Sequence, residues 1–209
     1  MYFPFLAEAA EFSGVALDAL RQPLENGVIE IHRLGVVATF PARFQLILAT
    51  NPCPCGNYGV RGAECVCPPA QIRRYAQRLS GPLRDRIDID LHVTRVSAAG
   101  LGEGRGTLTS AQARAQVHAA RALATERWKD TRHRVNAEVP GDVLRSARFR
   151  VDPAARALLD RALDRGTLTM RGYDRVLRVA WSIADLAGAD SPTVEHIAHA
   201  VFLRQGVPS

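Results

Sequence analysis

The sequence predicts an α/β segment followed by an all-α segment, and three observations carry that reading. Residues 1–95 hold short strand-like apolar runs separated by turns, with all 4 cysteines among them. Residues 96–108 form a Gly-rich stretch, SAAGLGEGRGTLT with its neighbours, that reads as a linker. From Thr109 to about residue 205 the chain reads as helical throughout, and no internal repeat is visible.

In the first segment Phe3–Leu6 predicts a short apolar strand, weakened by Pro4. Ser13 is placed to cap a helix that carries Leu17, Leu20 and Leu24 on one face, and Gly27 to end it. Val28–Ile31 and Val36–Phe40 flank His32-Arg33-Leu34-Gly35, which predicts a β-hairpin with a basic tip. Phe44–Ala49 is an almost continuous apolar run, the pattern of a strand buried on both faces. A helix is expected over Pro69–Leu79, stopped by Ser80-Gly81-Pro82. The alternation across Ile87–Val93 predicts a half-buried strand.

In the second segment Thr109 and Gln112 have capping-box spacing and open a helix reaching about Trp128. Further helices are expected at 141–147, 153–164, 170–187 and 193–204. Pro140, Pro153 and Pro192 each sit near a helix start, where a missing N–H costs little.

Bulk properties narrow the function classes. At 209 residues and 47% hydrophobic, the chain can bury a core, so disorder is not the expectation. Its net charge is +6, and of 27 basic residues only Lys129 is lysine. Guanidinium forks bind phosphate, so an Arg-rich chain suits nucleic acid or nucleotide; GC-rich codon usage gives the same excess. No apolar run reaches membrane-spanning length, and Met1–Gly14 carries Glu8 and Glu11 with no basic residue. A cytoplasmic chain with no membrane partner is the expectation.

Cys53-x-Cys55 and Cys65-x-Cys67 are two CxC pairs with nine residues between them. Four thiolates suit tetrahedral Zn²⁺, and a Pro- and Gly-rich loop has little other means of ordering itself. The spacing is tighter than the usual zinc pairs, so reduced unligated cysteines are the alternative. No histidine accompanies the cluster in a pattern that would mark a catalytic cysteine.

Three stretches carry a resemblance: LDALRQPLENGVIEIHR, FPARFQLILATNPCPCG and CPPAQIRRYAQRLSGPLRDRIDI, together running from Leu17 to Ile89, with TMRGYDRVLRVAWSIADL further on. They resemble the core and lid motifs of the magnesium-chelatase-like AAA+ ATPases of the ComM/YifB type. The resemblance implies the C-terminal portion of a P-loop NTPase core plus a helical lid. It implies a ring, expected to be hexameric, built with itself or a full-length homologue. It also implies ATP with Mg²⁺ as cofactor and DNA as partner, in branch migration when incoming DNA is recombined.

By motif position, Asn51 at the end of LILATN resembles the sensor that holds the attacking water at the γ-phosphate. Read alone, it is a turn-forming residue before Pro52. Arg86 in RDRID resembles the arginine finger that reaches a neighbouring subunit's ATP, with Arg84 as runner-up. Alone, Arg86 reads as a surface arginine paired with Asp85 or Asp88. Arg171 in TMRGYDR resembles the lid's sensor arginine. Glu8 matches the catalytic glutamate that orients water; its bland reading is a helix-start acid. His32 and Arg33 match a hairpin aimed into the central channel, where a basic tip would hold DNA phosphates without reading sequence.

The sequence departs from the family pattern twice. No G-x-x-x-x-G-K-[ST] occurs in these residues, so no nest of N–H groups and lysine is present to cradle phosphates. Ala7 stands where the magnesium-holding aspartate is expected, before Glu8. The resemblance starts part-way through the family's ATPase core, so a fragment without autonomous ATPase activity is the expectation. Three alternatives stay open: a non-catalytic DNA-binding or regulatory module, a zinc-stabilised interaction domain, and a magnesium-chelatase subunit.

Overall fold

The computed structural model describes residues 3–93 and 108–205. The chain divides into two compact units, Met1–Ile87 and Asp88–Pro208. The expected linker at 96–108 lies outside the described residues except for Leu108.

The first unit contains, in chain order, β1 (Phe5–Leu6), a 3-10 turn at Ala9–Glu11, α1 (Gly14–Ala19), α2 (Arg21–Asn26), β2 (Val28–Arg33), β3 (Val36–Pro41), β4 (Ile47–Leu48), α3 (Pro69–Ala76) and α4 (Gly81–Arg84). β1 and β4 pair in parallel, Phe5 beside Ile47 and Leu6 beside Leu48. Ser13 caps α1 by accepting from the Ala16 N–H at 3.2 Å. The helix expected there is two short ones, broken at Leu20, and Gly27 ends the second in a left-handed conformation at φ 70°.

Three expectations are corrected here. Phe44–Ala49 is not a strand buried on both faces. Ile47–Leu48 pairs with β1 and Phe44 forms an isolated bridge, and exposure alternates along the run, with Ile47 exposed and Leu48 half-buried, because β1 is the one strand paired with β4 among the described residues. Ser80-Gly81-Pro82 starts a helix as well as following one: α3 stops at Ala76, and Ser80 caps α4 by accepting from the Leu83 N–H at 3.3 Å. The hairpin tip is tighter than its four-residue reading. His32 and Arg33 belong to β2, opposite Val37 and Val36, which leaves Leu34-Gly35 as the turn.

Both turn residues have positive φ, 42° at Leu34 and 80° at Gly35, as the twist of a two-residue hairpin requires. Leucine is poorly suited to that region, where a Cβ costs about 1–2 kcal/mol. Leu34→Asn is expected to stabilise the hairpin by about 1 kcal/mol. Amide exchange across β2 and β3 should slow about fivefold; unchanged exchange would mean that the turn stores no strain.

The second unit is helical: α5 (Ser110–Arg127), a 3-10 turn at Asn136–Glu138, α6 (Gly141–Leu144), a 3-10 turn at Ala147–Phe149, α7 (Pro153–Asp164), α8 (Met170–Ala187) and α9 (Val194–Gln205). The Thr109–Gln112 capping box is formed in both directions. Trp128, wholly buried, anchors the core; its ring lies 4.4 Å from Phe149 and 6.3 Å, edge-on, from Trp181. Leu144, Leu159, Val176 and Ile197 fill the space around it.

The strand expected at Ile87–Val93 is absent. The segment has no strand partner among the described residues. Instead the Asp90 N–H donates to the Leu203 carbonyl at 2.7 Å, and Arg175 donates to Asp88 at 2.5 Å. These contacts hold it against the helices as extended chain.

Candidate functional site

Because β1 and β4 are parallel, their C-terminal ends open on one side, the side where ligands gather on parallel sheets. Glu8 and Asn51 both lie just past those ends. Backbone bonds continue beyond the ladder, with Ala49 N–H donating to Leu6 (3.0 Å) and Ala9 N–H to Ala49 (2.8 Å). Glu8 is held in the left-handed region, φ 54° and ψ 45°. Strain of this kind persists only where surroundings impose it, and it concentrates at functional sites.

Buried Tyr75 of α3 lies near Thr50, Glu11 and Glu8. Burial pushes its phenol above the ordinary value, and the two carboxylates add to the effect. Arg78 donates to the Ala10 carbonyl at 2.7 Å and pairs with Glu11 at 3.3 Å, pinning the turn after Glu8. Sequence reading missed Tyr75 and Arg78. The signal available was their placement, Tyr75 on the helix directly after the cysteine loop and Arg78 in the turn that follows it, with no motif to single them out.

Arg86 forms an ion pair with Glu25. Its side chain is 10% exposed, and it donates to the Pro82 carbonyl at 2.7 Å. Arg84 is exposed at the end of α4. Arg171 is exposed in the first turn of α8 in the helical unit. His32 and Arg33 project from the exposed end of the hairpin, with His32 3.9 Å from Glu30. The structure thus brings Glu8 and Asn51 to one strand edge and ties Arg86 to Glu25.

The cysteine loop starts two residues beyond Asn51. Cys53 is wholly buried and the other three thiols are half-buried. Cys53 Sγ lies 3.4 Å from Cys55 Sγ and 3.8 Å from Cys65 Sγ, and Cys55 Sγ lies 3.7 Å from Cys65 Sγ. All four sulfurs, Cys67 included, fall within 4.8 Å of one another. Sulfurs about 2.3 Å from a tetrahedral zinc would stand roughly 3.8 Å apart, so the cluster fits that geometry. The Tyr58 N–H donates to Cys53 Sγ at 3.3 Å, a backbone support for the sulfur. The Asn57 backbone amide draws the Cys55 thiol down to about 6, a thiolate at neutral pH. Burial pushes Cys67 up to about 12. The four cysteines can hold a metal such as zinc.

Comparison with known proteins fits the whole described chain. A sequence family described as magnesium chelatase, subunit ChlI, matches residues 3–101, and its C-terminal counterpart matches residues 107–204. The chain belongs to the magnesium-chelatase family. Among its relatives, an uncharacterized protein of Mycobacterium tuberculosis is 49% identical over 201 residues, covering 96% of this chain and 39% of the relative. Competence protein ComM of Haemophilus influenzae is 39% identical over 201 residues, and YifB of Salmonella typhimurium is 38% identical over 202; each match covers 96% of this chain and 38% of the relative. The chain therefore spans about two fifths of the length of these relatives. No described helix is long and apolar enough to cross a membrane.

Proposed function

We propose that the chain contributes the sensor edge and helical lid of an AAA+ ring ATPase that remodels DNA in the cytoplasm. One observation carries the reading: Glu8 and Asn51 stand together at the carboxyl ends of adjacent parallel strands, with Glu8 in a strained backbone conformation. In this reading Asn51 holds the attacking water at the γ-phosphate of ATP and Glu8 orients it. ATP with Mg²⁺ is the cofactor, and Arg171 meets the nucleotide from the lid. The family relationship and the named competence relative support it.

Arg86 serves the neighbouring subunit's nucleotide. Its ion pair with Glu25 stores the guanidinium until a more highly charged phosphate competes for it. The hairpin sets His32 and Arg33 against DNA backbone phosphate. The four cysteines bind one Zn²⁺ that orders the loop after Asn51.

The test mixes the 209-residue chain with a complete ComM-type relative and follows ATP turnover. The chain alone is expected to turn over no ATP, since it has no G-x-x-x-x-G-K-[ST]. Incorporated into mixed rings, Arg86→Ala should slow the sites it borders by up to about 10³ relative to unmodified chain. Equal turnover with the two forms would remove the finger role. In the same samples, Arg33→Ala should reduce the salt slope of DNA binding by about 1, the loss of one phosphate contact.

A second reading rests on the thiol cluster: a zinc-stabilised interaction domain indifferent to nucleotide. It predicts unaltered ring turnover in every mixture, with metal-dependent folding.

A further inference from the structure

We infer that metal bound by the four cysteines positions Asn51, so that the thiolate cluster is a clamp on the strand edge as well as a local staple. The consequence for hydrolysis rests on the role proposed above for Asn51; the coupling itself does not.

Three observations lead to it. First, the connection is short and stiff. Asn51-Pro52-Cys53-Pro54-Cys55 contains two prolines with fixed φ, and both Asn51 and Cys53 precede a proline, which confines each to extended conformations. Few soft dihedrals separate Asn51 from the first sulfur, so fixing Cys53 in space fixes Asn51 with it. Second, the loop folds back onto Asn51. Gly56 N–H donates to the Cys53 carbonyl at 2.9 Å, closing a turn in which Gly56 takes φ 77°. A Cβ at Gly56 would lie 3.9 Å from Asn51 Cγ, so this turn backs the Asn51 amide group.

Third, little else orders the loop. Between Asn51 and Pro68 the buried residue is Cys53, itself a sulfur of the cluster, while Tyr58 and Val66 face solvent. Its other ties include short-range backbone turns, the bond from the Tyr58 N–H to Cys53 Sγ at 3.3 Å, and one from Asn57 Nδ2 to the Glu64 carbonyl at 3.1 Å. An 18-residue loop with so small an interior has no apolar burial to offset its conformational entropy. A metal joining the near pair, Cys53 and Cys55, to the far pair, Cys65 and Cys67, supplies the missing constraint.

The experiment uses the full 209-residue chain, labelled with ¹⁵N, in zinc-loaded and chelated forms, together with a Cys65→Ser/Cys67→Ser variant. That variant removes two sulfurs at the end of the loop far from Asn51 in sequence and leaves residues 49–57 untouched. Expected are displaced Asn51 side-chain NH₂ resonances and amide exchange faster by about tenfold or more over residues 49–57, both on chelation and in the variant. Exchange in α5 and α8 serves as the internal reference for intact folding and should not change.

If zinc binds at one equivalent and the Asn51 signals stay where they are, the clamp is overturned and the metal site stands. If no zinc binds, both fall. If zinc fixes Asn51 while Arg86→Ala leaves mixed-ring turnover unaltered, the clamp is upheld and the finger role is the part that fails.

Discussion

Asp185→Ala is expected to destabilise the helical unit by about 3–5 kcal/mol, the loss seen when one partner of a buried ion pair is removed. Asp185 and Arg127 are 1% and 11% exposed at the side chain and form a salt bridge between α8 and α5. Arg127 donates a further bond to the other Asp185 oxygen at 3.1 Å and one to Asn136 at 3.2 Å. Asn136 then donates to Asp185 at 2.8 Å and to Ser182 at 3.2 Å, and accepts from the indole N–H of Trp128 at 2.8 Å. The guanidinium also lies 4.1 Å from the Trp181 ring. Removing the carboxylate leaves a desolvated cation facing two tryptophans and takes one acceptor from the Asn136 amide, which is why the loss should far exceed that of a surface pair.

Urea unfolding of the full chain followed by tryptophan fluorescence reads this unit directly, because both tryptophans of the sequence, Trp128 and Trp181, lie in it. Arg127→Met combined with Asp185→Leu removes both charges and should restore most of the stability. If Asp185→Ala costs less than about 1 kcal/mol, the network is no stronger than an exposed pair. Since α8 also carries Arg171, the same network fixes the helix from which that side chain is presented.

That network shows where sequence reading stopped. The long helices of the second unit were legible because they carry their own punctuation, Thr109 with Gln112, Pro153 after the capping Asp152, and Gly188 closing α8, whereas the helix expected at 141–147 has no side-chain cap and stops at Leu144. Caps and prolines act over three or four residues, so a linear reading captures them. Asn136 bonding to Asp185 spans 49 positions, and nothing local distinguishes either residue from an exposed polar one. In the first unit the local cues misled. Phe44–Ala49 has the composition of a strand covered on both faces, yet a strand's surroundings depend on its neighbours, and β1 is the one strand paired with β4 among the described residues. Ile87–Val93 alternates like a strand, but its amide and carboxylate found partners in α9 and α8. The cysteine cluster was legible as a candidate from spacing. The closeness of Gly56 to Asn51, which links the cluster to the strand edge, was not, because it depends on a left-handed turn.

Zinc affinity is expected to rise by at least about 100-fold for each pH unit between 6 and 8, the slope for the two protons that Cys65 and Cys67 release on binding. The sign follows from the thiols. Cys67 is pushed up to about 12 by burial and is protonated across this range, so binding must expel its proton. Cys65 is also above its ordinary value: the Cys67 amide pulls it down, but burial and the Cys55 and Cys53 sulfurs outweigh that. Cys55, drawn to about 6 by the Asn57 amide, is already a thiolate and releases nothing above that pH. Below pH 6 Cys55 also becomes protonated, so the dependence should steepen there. Competition against a chelator of known affinity at several pH values measures the slope, and a pH-independent constant would mean that the thiols are not the ligands. Cys53→Ser should weaken binding by more than about 100-fold, beyond the range of lost outer-shell support, because it removes the one wholly buried sulfur and strands the Tyr58 N–H that donates to it. The tryptophan-monitored unfolding of the helical unit should be unchanged in that variant, since the sulfurs and the tryptophans belong to different units. A coincident loss of both would mean that the metal supports the whole chain rather than the loop that follows Asn51.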